Sequence, residues 1–271
     1  MLKRLLGYGT LLVLLAMLLT ACGGGDDKDD NGGDNNGSQQ TPAANGTEVV
    51  SLGEAEISGF PMTRIIRAVE DLTLVSYTVV EKDGYLYPMY LVRNDTGETI
   101  ENVSAIITFL DDENLRLTDA SVVSSYVNIP PDKLVPVMGI YPVPVDYDGL
   151  ATLIVRSGEL TFDGYAPYFD ATVTTEPLSD TGELRGTATN NSGIALVQPV
   201  ATFVLSDAEG NLISLVQVSP TGLDEQGYWQ PGAALELSGT VQVFAGDSLA
   251  NVAQIDLIVA GYELKPPSRQ P

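Results

Sequence analysis

Val103-Ser-Ala-Ile-Ile-Thr-Phe-Leu-Asp111 decides the fold class. Val103, Ala105, Ile107 and Phe109 fall on alternate positions, the period of a β-strand, so one face of the segment is apolar and directed at a core. β-Branched and aromatic residues fill the segment, and Asp111-Asp-Glu-Asn114 ends it as a turn in which Asp caps local amides and Asn tolerates positive φ. Val197-Gln-Pro-Val-Ala-Thr-Phe-Val-Leu-Ser-Asp207 repeats the pattern. Pro199, Ala201, Phe203 and Leu205 share the equivalent face, and Asp207-Ala-Glu-Gly-Asn211 closes the strand. Both faces are expected to point inward between two sheets about 10 Å apart.

The resemblance extends outward from these strands. Asn94-Asp-Thr-Gly97 is answered by Asn190-Asn-Ser-Gly193, and Asp111 by Asp207, both at a shift of 96 residues. Leu153-Ile-Val155 recurs as Leu257-Ile-Val259, and Glu159-Leu160 as Glu263-Leu264, both at a shift of 104. Matches in one order with coherent shifts mark a duplication, with about eight residues of net insertion in the second copy. From Val49 onward, short runs of Val, Ile, Thr, Leu and Tyr are separated by Gly, Pro, Asn and Asp. That texture predicts an all-β chain with two sandwiches, at 66–160 and 161–265, each large enough for its own core. A lead-in segment at 48–65 and a tail at 266–271 flank them. Short helices are expected only at Met62–Glu70 and Ser248–Gln254.

Phe203-Val-Leu-Ser-Asp207 resembles the Phe-x-Leu-Tyr-Asp motif of the FxLYD domain, with Ser206 where the family has Tyr. Ile107-Thr-Phe-Leu-Asp111 is a looser version, with Ile107 for Phe and Leu110 for Tyr. The Asn-x-Ser/Thr-Gly turns and the valine-rich strands before these motifs also look like that family. The resemblance implies two tandem immunoglobulin-like β-sandwich domains, a fold common on bacterial envelope lipoproteins. It implies no catalytic chemistry and transfers no functional residue.

The N-terminus speaks to location. Met1-Leu-Lys-Arg4 is a short positive start, Leu5–Leu19 is an apolar run, and small residues follow, the layout of a secretory signal peptide at 1–21. Fifteen apolar residues at ~1.5 Å rise cover roughly 22 Å, short of the ~30 Å hydrocarbon core. Leu19-Thr20-Ala21-Cys22 resembles the lipobox of bacterial lipoproteins, which implies cleavage before Cys22 and acylation of its thiol. The only cysteine of the chain stands at that position. Residues 22–47, from Cys22 through a run rich in Gly, Asp and Asn, lack large apolar side chains and are expected to form a disordered acidic linker. Within it, Asp27, Asp29, Asn31 and Gly32 match the opening of a calcium loop, but Ser38 stands where a bidentate Glu is needed. A solvated spacer is the expectation. Asn45, Asn94, Asn102 and Asn190 head glycosylation triplets, which a bacterial lipobox makes chance matches.

Composition narrows the chemistry. The 271 residues include 13 Lys+Arg, 36 Asp+Glu and no His, for a net charge of −23. Without His there is no Ser-His-Asp or Cys-His catalysis and no His-ligated zinc. A single Cys forms no intrachain disulfide. The negative charge repels nucleic-acid phosphates and anionic headgroups. After cleavage the acyl chains would therefore hold the membrane without help from a basic patch. Gly23 after Cys22 lacks the Asp that resembles an inner-membrane retention signal, so the outer leaflet of the cell membrane and the outer membrane both remain open. Asp111-Asp112-Glu113, Asp146-Tyr147-Asp148 and Asp224-Glu225 could supply a glycosidase pair or a cation site, but adjacent carboxylates on hairpin loops make no cleft by themselves. Phe162, Tyr165, Tyr168 and Phe169 cluster at the proposed junction, and Tyr228-Trp229 lies in a loop of the second copy. Tyr165, Tyr168, Tyr228 and Trp229 are candidate partner-binding aromatics; packing between the domains, and capping of a sandwich end by Trp229, are the alternatives. The expectation is a non-enzymatic, lipid-anchored binding or scaffolding module of the bacterial cell envelope. No cofactor, metal or catalytic residue is assigned, and its partner is an envelope protein or surface polymer. A carboxylate-dependent glycan hydrolase and a calcium-responsive adhesion module are the rival functions.

Overall fold

The computed structural model describes residues 65–68, 71–156 and 164–264, all within one compact unit. Among them the chain is all-β, built from several open, predominantly antiparallel sheets, with no α-helix and no closed barrel. The first half forms two sheets. One has the order β1(Ile65–Ala68)-β8(Gly149–Arg156)-β4(Val103–Leu110)-β5(Arg116–Val123), and the other the order β2(Leu72–Lys82)-β3(Tyr85–Asn94)-β6(Leu134–Met138), with β7(Tyr141–Pro142) also on β3. In the second half, β9(Tyr165–Tyr168), β15(Gln254–Leu264), β12(Val197–Ser206) and β13(Leu212–Val218) lie side by side in that order. β10(Thr172–Thr175), β11(Glu183–Thr189) and β14(Ala234–Thr240) form the other sheet. Strand for strand, the two orders are the same. They differ at the first strand, since β1 joins β8 in parallel and β9 joins β15 antiparallel.

The alternation of the opening strand is realised: Val103, Ala105, Ile107 and Phe109 are all buried. In β12, Ala201, Phe203 and Leu205 are buried as expected. Pro199 instead falls in a bulge between Val197 and Val200, with Gln198 at φ 48°. Thr202 and Val204, on the opposite face, are buried as well, because this sheet is covered on both sides.

Register corrects one sequence match. Ile107 pairs with Thr152, and its counterpart Phe203 pairs with Leu257. The structural shift in the last strand is therefore 105 and not 104. A slip of one residue exchanges faces, so Leu153 is exposed while Leu257, its match by sequence, is buried. The correct alignment shows compensating volumes. Tyr90, Ile107 and Thr152 of the first core occupy the positions of Gly186, Phe203 and Leu257 in the second. A Cβ on Gly186 would lie 2.7 Å from the Thr174 carbonyl oxygen, 3.2 Å from the Phe203 ring and 3.3 Å from Leu257, so the neighbouring strand and the larger pair of side chains together require glycine there.

Two helix expectations change. Ile65–Ala68, inside the helix expected at Met62–Glu70, is strand: its β-branched pair Ile65-Ile66 extends the sheet along β8. Ser248–Gln254 contains only a 3₁₀ turn, Leu249–Asn251, capped by Ser248 Oγ accepting from Ala250 N at 3.1 Å.

The outer face of the β2-β3-β6 sheet lies on the outer face of the β13-β12-β15-β9 sheet, where Met89 and Leu91 pack with Val204, Leu212 and Leu215. The four sheets thus stack as layers. The first core continues across this seam to Ala260 and Tyr262. Tyr126, fully buried, donates its hydroxyl to the Ile258 carbonyl at 2.9 Å and lies 3.1 Å from Thr202 Oγ1. Val127 N donates to the Tyr262 hydroxyl at 3.0 Å, and Asn128 Nδ2 to the Tyr165 carbonyl at 2.7 Å.

Candidate functional site

Cys22 and its neighbours Leu19, Thr20 and Ala21 lie outside the described residues, as do the linker with its calcium-like run, Phe162, and Glu159-Leu160. The candidate residues that are described fall into acidic turns, paired asparagines and aromatics.

The acidic turns share one geometry. Asp111 Oδ1 accepts from Glu113 N at 3.0 Å and Leu115 N at 2.7 Å; Asp207 Oδ1 accepts from Glu209 N at 3.0 Å and Asn211 N at 2.7 Å. Asp224 Oδ1 does the same with Gln226 N at 3.0 Å and Tyr228 N at 2.8 Å. The fourth turn residue takes positive φ in each: Asn114 at 63°, Gly210 at 86° and Gly227 at 83°. These carboxylates are employed in holding their own loops. Desolvation pushes Asp207 upward, but bonds from Asn211 and from the turn amides outweigh it and hold the carboxyl below its ordinary range. Asp224 is lowered chiefly by the Gln230 amide, which donates to Oδ2 at 2.5 Å, and by the turn amides. Such groups stay ionised at neutral pH, the opposite of what a general acid requires. Asp146, at φ 65°, and Asp148, whose N–H bonds the Leu110 carbonyl at 2.9 Å, shape the approach to β8. Between them Tyr147 packs edge-on to Phe109, and burial pushes its phenol up to about 12. Among the described residues no group of three or more acidic or Cys side chains could hold a metal ion.

The paired asparagines were legible as a repeat but not as clasps. Asn94 Nδ2 donates to the Glu98 carbonyl at 2.7 Å and the Ile129 carbonyl at 2.9 Å, while its Oδ1 accepts from Thr96 Oγ1 at 2.7 Å. Asn190 Nδ2 donates to the Ile194 and Trp229 carbonyls, both at 2.8 Å, and its Oδ1 accepts from Ser192 Oγ at 2.6 Å. Gly97 and Gly193 complete the turns at φ 77° and 78°. Each amide ties its turn to the distant segment entering the next strand, with all of its polar valence used in a buried site.

The aromatics divide. Trp229, the counterpart of Ile129, is fully buried: its backbone pairs with Leu196, its Nε1 donates to the Ala233 carbonyl at 2.9 Å, and its ring lies over Gly261. It is thus not presented to a partner. Tyr165 and Tyr168 are half-buried; Tyr165 meets Tyr262 edge-on with ring centres 6.1 Å apart, and Phe169 lies 6.0 Å from Tyr126. Tyr165 and Phe169 therefore line the seam, whereas Tyr168 packs against the second core. Tyr228 is half-buried beside the Asp224 turn. Tyr126, the residue that bonds the halves most directly, stood out in no sequence pattern; Tyr126-Val-Asn-Ile129, four large residues in succession outside a strand, was the available signal.

One shallow groove of about 470 Å³ crosses the outer face of the β10-β11-β14 sheet, edged by Glu176, Glu183, Arg185 and Glu236. Among the described residues no ring lines it, and Arg185 is engaged with Glu183 at 3.5 Å. Compared with known proteins, the chain matches no family model and no curated protein.

Proposed function

We infer that the chain is a lipid-anchored, extracytoplasmic protein of the bacterial cell envelope, in which two tandem immunoglobulin-like sandwiches of FxLYD type act as a non-catalytic binding or scaffolding module. Leu19-Thr-Ala-Cys22 carries this reading, since the one thiol of the chain stands at the end of a charged and then apolar leader. The recurrence of one strand order in residues 65–156 and 164–264 supports the tandem architecture. The engagement of Asp111, Asp207 and Asp224 with their own turn amides supports a structural use for the acidic loops. The partner is an envelope protein or a surface polymer, met by the exposed loops and outer faces.

Labelling cells with a palmitate analogue tests the anchor. Wild-type chain should take up label and fractionate with membranes, and Cys22→Ser should be unlabelled and soluble. Mass spectrometry that finds an unmodified sulfhydryl at residue 22 of a soluble product would refute the proposal.

A further inference from the structure

The seam between the halves is asymmetric, and this exposes two unlike ends. The docking face of the first half carries Tyr87, Met89 and Leu91 on β3. At the same positions of the second half, 96 residues on, stand Glu183, Arg185 and Thr187. Pro136 and Met138 of β6 are likewise replaced by Glu236 and Ser238 in β14, at a shift of 100 set by the pairings Met89 with Met138 and Arg185 with Ser238. A further sandwich seated on that end would strip water from Glu183, Arg185 and Glu236 without new partners, which is strongly unfavourable.

The other end of the stack is the outer face of the β1-β8-β4-β5 sheet, counterpart of the face that receives the first half in the second. Among the described residues no element covers it. Ile106 and Leu153 stand directly opposite each other there, 42% and 38% exposed, with Val123 at 54%. Arg116 and Asp119 pair at 2.5 Å, and Arg67 of β1 holds the register position beside Leu153. The second half, by contrast, carries 12 Asp and Glu against one Arg in residues 164–264.

We propose that this face is where two copies of the chain meet, face to face across a two-fold axis. Acidic chains repel over most of their surface, and an apolar patch without net negative charge is where that repulsion is least. A two-fold contact uses the same patch on both copies, and the charged opposite end stops growth at two. Three strands of eight residues and one of four, about 4.8 Å apart at ~3.3 Å per residue, present roughly 450 Å² per copy. That is below the ~800 Å² per partner of a standard interface, so the dimer is weak and concentration-dependent. The proposal goes beyond the scaffold reading and does not rest on it.

Sedimentation equilibrium of the full chain in density-matched detergent tests it, comparing wild type with Ile106→Glu/Leu153→Glu and with Ser238→Lys at the opposite end. A monomer–dimer equilibrium is expected, shifted at least about tenfold toward monomer by the double variant and unmoved by Ser238→Lys. Circular dichroism melting verifies the fold; if the double Glu variant unfolds, Ile106→Ser/Leu153→Ser reads the same shift. Monomer at every concentration, whether the face is bare or covered by the chain's own N-terminal residues, overturns the proposal. So does a dimer indifferent to both face variants, or growth into longer oligomers.

Discussion

Removing one oxygen from the seam, by Tyr126→Phe, tests whether the two halves behave as one body. The Tyr126 hydroxyl donates to the Ile258 carbonyl and lies 3.1 Å from Thr202 Oγ1, and Tyr126 and Thr202 are both fully buried. Losing a buried hydrogen bond costs about 1 kcal/mol, and stranding the Thr202 hydroxyl adds about 1 kcal/mol more, so about 2 kcal/mol is expected in all. For a body of this size that corresponds to a fall in Tm of about 4–8 °C. Calorimetry should show one transition in wild type and variant alike, because the first core includes Ala260 and Tyr262 of the last strand. A second substitution sharpens the test. Thr202→Val in the Tyr126→Phe background removes the stranded hydroxyl and should recover part of the loss, whereas Thr202→Val alone leaves Tyr126 its carbonyl partner. Two separate transitions of which one moves, or a Thr202→Val loss that simply adds to that of Tyr126→Phe, would refute the coupling.

Asn94→Ala and Asn190→Ala should each cost about 2 kcal/mol in chemical denaturation, because each removes two hydrogen bonds to carbonyls, one of them buried, and frees a turn. Burial raises the Tyr262 phenol from 10.0 to about 12, so its contribution is complete below pH 10 and is lost as pH climbs through 12. Over that window an alkaline stability titration should lose up to about 3 kcal/mol on account of Tyr262, beside the share of Tyr147, whose phenol burial raises into the same range, and Tyr262→Phe should make the fall shallower by that amount; a slope unchanged in the variant would count against this origin. Thr78 Oγ1 is buried without a hydrogen-bond partner among the described residues, so Thr78→Val should raise stability by about 1 kcal/mol, and a drop in the denaturation midpoint would show the hydroxyl to be satisfied.

The sandwich-like β character was legible because Val103–Phe109 is half-exposed and shows a clean period of two. β12 hid more. With Val200–Leu205 covered on both faces or nearly so, its burial shows no alternation, and nothing local in its sequence says that the second cover is another sheet. The Leu-Ile-Val match at a shift of 104 misled because three similar apolar residues align equally well one position out of register, while strand pairing tolerates no such slip. Asp111 and Asp207 were read correctly as turn caps, since that role depends on neighbours two and four residues away. Tyr126 was not, because its partners lie 76 and 132 residues distant. Trp229 drew attention as an aromatic in a loop; its burial follows from the glycine at 261, which only the fold brings beneath it.

Asn94 and Asn190 each do with an amide what small β-sandwiches often do with a cystine, fastening a turn to a far segment of the same half. The chain has one cysteine, Cys22, and none in the folded halves. Assembly of these halves therefore waits on no oxidant, isomerase or correct cross-link, and a reducing solution leaves both fasteners closed.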